Sequence, residues 1–287
     1  LLQVSEALQK VGQSPTLWNS RNPAHFDSIQ WRMNQNKVSP MWDAIWVRHM
    51  PPLFPSLHVR KNGSCDLNEI RKQRSLRSFF LQWLSHQKEI GVHLLPNFQE
   101  GSYDQNKGQQ LQLAQTSGLP IPRTCCTNNL DVAMTFIKKE AKPCVVKPLL
   151  GGTLTQPANE TNIADMLRVF GPVMVQERVH GKPCRVLWLN DRCLGAFELP
   201  VGPSVDWRSL FEEPCGIPSW RPVELPVKKQ TQLHQFAKGQ LCQLLGFDLI
   251  HTKDDFVFLE ANTSPAWCDL PPDARNNISK AVAQFLL

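Results

Sequence analysis

The sequence predicts an α/β protein assembled from α+β lobes, and three observations carry that prediction. Strand-like runs alternate with amphipathic helical stretches. Two apolar runs, Cys144–Gly152 (CVVKPLLGG) and Val173–Val179 (VMVQERV), read as buried strands that deliver polar residues at their ends. The stretch Leu244–Trp267 reads as a β-hairpin, with Phe247–His251 and Phe256–Leu259 joined by the polar turn Thr252–Asp255.

Composition bounds what the chain does. Its 287 residues suit one large domain or two to three small lobes. With 41% hydrophobic and 20% charged residues, a packed core is expected and disorder is excluded. The net charge of +6 comes without a polybasic run, which favours anionic ligands and argues against nucleic acid. The nine cysteines contain no C-x-x-C pair and fit no zinc site, so they read as small hydrophobes in a reducing, cytoplasmic setting. No apolar run approaches the roughly 18 residues of a membrane helix. The chain starts at Leu1 rather than Met, so a short N-terminal piece is expected to precede it.

Taken in order, Leu1–Val11 has helical apolar spacing at Leu1, Val4, Leu8 and Val11. Strands are expected within His25–Met33 and Asp43–Met50, a helix over Asn68–Gln87 and a short strand at His93–Asn97. Lys107 opens a helix that Gly118 ends, and Pro120 and Pro122 prevent its resumption. A hairpin turning at Asn190–Asp191 is expected within Lys182–Leu199, followed by helices at Lys228–Leu245 and Ile278–Leu287.

Three features carry chemistry. Lys147 ends a buried strand, where a charge is costly unless it meets an anion. Gly151 and Gly152 then let backbone approach phosphate, although the Walker pattern G-x-x-x-x-G-K is absent. In the hairpin, Glu260 and Asn262 are two apart and share a face, and Asp248 joins them if the register allows. Two carboxylates and an amide oxygen suit magnesium carrying a nucleotide phosphate. The plainer alternative is that Asp248 caps a turn and Glu260 and Asn262 close a strand.

Five phrases in order resemble the ATP-grasp superfamily, most closely its RimK-like ligases. They are NKGQQLQLAQTSGLPIPRT from Asn106, CVVKPLLGG from Cys144, VMVQERV from Val173, GKPCRVLWLND from Gly181, and GFDLI with FLEANTSP from Gly246 and Phe258. Asn106 stands where the family has an acid, and the loop after Lys147 is poorer in glycine than usual. The resemblance implies an ATP-grasp fold, with a pre-grasp lobe over 1–100, a small lobe over 101–180 and a C-terminal lobe over 181–287. It assigns Lys107 and Lys147 to phosphate and Gln176, Glu177 and Val179 to adenine and ribose. Asp248, Glu260 and Asn262 would hold magnesium, with two ions expected and manganese able to substitute. Arg185, and Arg208 in DWRS, would meet the transferred phosphoryl group or the acceptor; Arg48 is a further candidate near the ligand.

The activity implied is ATP-dependent joining of a carboxylate to an amine or hydroxyl, with a peptide among the candidate substrates. The alternatives are an ATP-grasp small-molecule kinase and a non-catalytic ATP-binding module. No nucleic-acid or membrane partner is expected, and the oligomeric state is open.

Overall fold

The computed structural model describes residues 2–17, 42–48, 67–96, 106–149, 153–200, 206, 219–240 and 242–287. The expected strand at His25–Met33, the pair Gly151–Gly152 and Arg208 lie outside them. The chain divides into two compact units, one of Leu1–Phe98 with Ser279–Leu287 and one of Gln99–Ile278.

In the first unit, helix α1 spans Leu2–Gln9. Strands β1 (Ala44–Trp46) and β2 (His93–Leu95) pair in parallel, and helix α2 (Leu67–Glu89) lies between them in sequence. Parallel strands need such a crossover. Phe80, Trp83 and Leu84 of α2 pack with Val92 and Leu94 into the core of this unit.

The second unit holds two sheets. The smaller has order β3-β6-β4-β5, from Thr124–Thr127, Val173–Glu177, Cys144–Pro148 and Gln156–Pro157. Helices α3 (Lys107–Thr116), α4 (Leu130–Lys139) and α5 (Glu160–Phe170) accompany it in sequence. Asn129 and Asn159 cap α4 and α5 by accepting from backbone N–H groups of their first turns. Gly118 follows α3 at φ 78°, a conformation that favours glycine.

The larger sheet has order β11-β10-β7-β8-β9. Its strands are β7 (Lys182–Leu189), β8 (Arg192–Glu198), β9 (Arg221–Pro222), β10 (Leu244–His251) and β11 (Phe256–Asn262). Helix α6 (Val227–Gln240) lays Leu233, Phe236 and Ala237 on this sheet. The Phe236 ring lies 5.4 Å from Phe247 and 5.0 Å from Phe258, and all three are fully buried. Gly239 lets α6 approach α3, since a Cβ there would come within 2.7 Å of Leu113.

The expected helix over Lys228–Leu245 is too long. It ends at Gln240, and Leu244 and Leu245 open β10, paired with Leu189 and Trp188. Their helical spacing was real, but the apolar run Leu244–Phe247 fills the centre of a sheet, where strand pairing overrides it. The last helix, α7, begins earlier than expected, at Pro272, a residue suited to a first helical position.

At one end of the core face, Glu198 accepts from Lys182 Nζ at 2.7 Å and meets His251 Nδ1 at 2.8 Å. Burial works against the Glu198 charge, but these hydrogen bonds outweigh it and set its pKa below the ordinary carboxylate value. A depressed folded pKa adds stability above the unfolded value, and that stability is lost as pH falls through the folded one. Glu198→Gln should therefore melt below the parent near neutral pH, with the gap closing towards about pH 3. Melting curves across that range check this; a gap that does not change with pH would contradict it.

Candidate functional site

Three charged residues form a row across the larger sheet: Arg185 on β7, Asp248 on β10 and Glu260 on β11 stand directly opposite one another. What places Glu260 in that row is a bulge. Phe256 and Phe258 face the core at 4% and 0% exposure, as alternation requires. Asp248 then pairs with Glu260 and Leu249 with Phe258, so Leu259 has no partner on β10. The extra residue inverts the phase of the strand. Ala261 becomes the next core residue at 2% exposure, and Glu260 and Asn262 leave the core face to stand beside Asp248.

Arg185 donates from Nε to Asp248 Oδ1 at 2.9 Å and from Nη2 to Oδ2 at 3.4 Å. Asn262 Nδ2 donates to Asp248 Oδ2 at 3.0 Å. Lys107, the first residue of α3, reaches Glu260 Oε2 at 2.8 Å. Burial pushes the Asp248 carboxyl above the ordinary range; Arg185 pulls against the rise and Glu260 adds to it. Burial also opposes the Arg185 charge, but Asp248 more than restores it and raises the Arg185 pKa.

Several supporting residues carry no recognisable signal in the sequence. Gln110, one turn after Lys107 and 2% exposed, pairs with both backbone groups of Ala261: its Nε2 donates to the carbonyl and its Oε1 accepts from the N–H, each at 2.9 Å. Phe258 N–H donates to Pro120 O at 2.8 Å. The edge strand β11 thus spends outward-facing groups on α3 and its following loop rather than on another strand. The Trp220 ring faces the Arg185 guanidinium at 5.5 Å, and its Nε1 donates to Asp269 Oδ2 at 2.8 Å. Gly246, on the same face as Asp248, admits Pro265; a Cβ there would come within 2.5 Å of the Pro265 Cβ. Arg185 Nη1 donates to Ala266 O at 3.4 Å in the same segment.

The structure thus gathers Arg185, Asp248, Glu260, Asn262 and Lys107. The other expected residues stand on the smaller sheet. Lys147 lies half-buried on β4 opposite Met174. Gln176 is buried and donates from Nε2 to Thr124 Oγ1 at 2.9 Å. Glu177 ion-pairs with Lys142, and Val179 follows β6 half-buried. Arg48 is half-buried beyond β1, in the first unit. Arg208 is outside the described residues; Asp206 accepts from Thr155 N–H at 2.8 Å.

The donor set suits a hard divalent cation. Two carboxylates face one another, and Asn262 spends its amide nitrogen on Asp248, so its oxygen is the atom that suits a metal. Among the described residues, no group of three or more His, Cys, Asp or Glu side chains gathers as a metal site. Magnesium here would therefore draw its remaining ligands from water and phosphate, its usual habit with nucleotides. Among the described residues, no helix is long and apolar enough to cross a membrane.

No family model matches the chain. It is 26% identical over 156 residues to a D-alanine–D-alanine ligase of Pelagibacter ubique, spanning 50% of this chain and 51%, about half, of that protein. It is 24% identical over 209 residues to a probable alpha-L-glutamate ligase of Shewanella denitrificans, spanning 69% of each. Among solved structures it resembles the ATP-grasp ligase PsnB complexed with a minimal precursor, with TM-score 0.76 and 21% identity over 99% of this chain and 93% of that one. It also resembles the macrocyclase MdnC of Microcystis aeruginosa bound to precursor peptide MdnA, with TM-score 0.74 and 20% identity over 100% and 94% of the two chains.

Gln110→Leu keeps the bulk of the side chain but strands the N–H and carbonyl of Ala261. The loss should be on the order of 2 kcal/mol or more, because the groups left behind are buried. Urea denaturation gives the stability, and hydrogen exchange at Ala261 should accelerate in step. An unchanged Ala261 amide would show that Gln110 does not hold the strand.

Proposed function

We propose that this chain, which has the ATP-grasp fold, is an ATP-dependent ligase that activates a carboxylate as an acyl phosphate and joins it to an amine or hydroxyl. The observation that carries this reading is the in-register row Arg185–Asp248–Glu260, flanked by Asn262 and Lys107. Carboxylate and amide oxygens of the kind that suit a cation stand there with two positive side chains, which supports the reading.

The chemistry explains the composition of the site. A carboxylate is a poor acyl donor because its leaving group would be oxide. Its oxygen attacks the γ-phosphorus of ATP, the bond to the β-γ bridging oxygen breaks, and ADP leaves. The amine or hydroxyl then adds to the acyl carbon, gives up its proton, and expels inorganic phosphate. Negative charge accumulates on the phosphoryl oxygens in the first step, and fixed cations offset it without reorganising. Asp248, Glu260 and Asn262 hold magnesium, which neutralises the phosphates when bound. Lys107 and Lys147 meet the phosphates, Arg185 and Arg208 the phosphoryl group and acceptor carboxylate, and Gln176, Glu177 and Val179 the adenine and ribose. Gln176 and Glu177 already have side-chain partners, and the Glu177 N–H donates to Arg123 O, so the main-chain contact to adenine falls to Val179, just past the strand.

The names of two similar structures suggest the substrate. PsnB and MdnC are described with precursor peptides. We take a peptide carboxylate as the acceptor here, in a cytoplasmic enzyme.

Incubation with ATP, magnesium and candidate peptides should give ADP, phosphate and a product lighter than the sum of the joined partners by one water per bond formed. Mass spectrometry reads this directly, and a stable phosphate ester would instead mark a kinase. Glu260→Gln should lower turnover roughly a hundredfold while weakening ATP binding far less, because other groups still hold the nucleotide. Calorimetry beside steady-state assays separates the two effects; full activity in Glu260→Gln would remove Glu260 from the metal site.

A further inference from the structure

We propose that Lys107 is a placeholder cation, which neutralises Glu260 and keeps divalent metal out until nucleotide phosphate draws it away. The proposal rests on the metal site just described and adds to it a reason for metal and nucleotide to bind together.

The geometry makes lysine and metal rivals. Lys107 Nζ lies 2.8 Å from Glu260 Oε2, with the two side chains 13% and 26% exposed. Magnesium needs carboxylate oxygen at about 2.0–2.1 Å and a near-ideal octahedron. An ammonium group hydrogen-bonded to that oxygen obstructs the approach and cancels its charge. Across the row, Asp248 faces Arg185 as Glu260 faces Lys107, so two anions meet two cations. A bare divalent ion that takes Glu260 oxygen must displace the Lys107 ammonium, and the displaced charge stays nearby and repels it. Nucleotide changes the balance, because its phosphates offer a new partner for Lys107.

The two cations differ in freedom. Arg185 is fixed on several sides, by Asp248, by the Ala266 carbonyl and by the Trp220 ring. Lys107 is held at its backbone instead. Its helix is fastened to β11 one turn later, through the paired hydrogen bonds of Gln110 and Ala261. The flexible four-carbon stem can re-aim the ammonium group while its root stays fixed beside Glu260. The lysine moves; the arginine keeps its contacts with Asp248, and these leave lone-pair capacity on the carboxylate for metal.

The probe is manganese(II) alone, followed by electron paramagnetic resonance in the parent and in Lys107→Met, Lys107→Gln and Lys107→Arg, each first checked for folding by circular dichroism. Losing one opposing charge at a partly buried site should tighten bare manganese binding on the order of tenfold in the Met and Gln variants. Lys107→Arg, which keeps the cation, should stay weak like the parent. Calorimetry with ATP should show the metal–nucleotide coupling reduced in Met and Gln, and linkage requires the same coupling whichever ligand is titrated. If the parent binds manganese–ATP but neither neutral variant binds bare manganese more tightly, Lys107 is no placeholder and the proposal falls while the ligase reading stands. If the parent binds no manganese even with ATP, the metal site is wrong and both fall together.

Discussion

One extra residue, Leu259, determines whether this site exists. In a regular β11, the alternation that buries Phe256 and Phe258 would bury position 260 as well. A carboxylate there would lie in apolar surroundings without solvation. The bulge moves Glu260 and Asn262 to the face of Asp248 and hands the core position to Ala261. The supports around it follow from that shift. Gln110 occupies both backbone groups of Ala261, Pro120 accepts from Phe258, and Gly246 clears space for Pro265. The first two close gaps that a bulged edge strand would otherwise leave open to solvent or to another chain.

The same shift creates an electrostatic problem, which the row answers. Asp248 and Glu260 face each other at a partly buried position, and burial and Glu260 together push the pKa of the Asp248 carboxyl upward. Arg185 and Lys107 offset this, one across the sheet and one from a helix start. Such pairs are weak evidence for stability, because desolvation consumes much of the attraction. Their arrangement makes better sense as preparation for a ligand that brings its own charge. A triphosphate with its cation can take over the role of a mobile lysine, while the arginine opposes protonation of Asp248.

Much of this was legible in the sequence. The hairpin, the helix opened by Lys107 and closed by Gly118, and the common face of Glu260 and Asn262 all follow from local rules of period and capping. These are properties of neighbours in the chain. Asp248 could be placed only conditionally, because its partner depends on register, and nothing in FVFLEAN announces a bulge at Leu259. Gln110, Trp220 and Asp269 were not legible for a related reason. Gln110 meets Ala261 across 151 residues of chain, and Trp220 meets Asp269 across 49. A glutamine in a helix or a tryptophan in a proline-rich segment has no local feature that specifies such a partner. The overlong helix to Leu245 failed in the opposite direction, since a valid local pattern lost to sheet pairing at Leu244.

The most direct measurement is the anomalous scattering of manganese in a crystal of the protein with a non-hydrolysable ATP analogue. The account predicts metal density within about 2.0–2.3 Å of oxygens of Asp248, Glu260 and Asn262, with the Lys107 ammonium turned from Glu260 to phosphate. Metal bound away from these residues, or Lys107 still paired with Glu260 beside a bound metal–nucleotide complex, would contradict it.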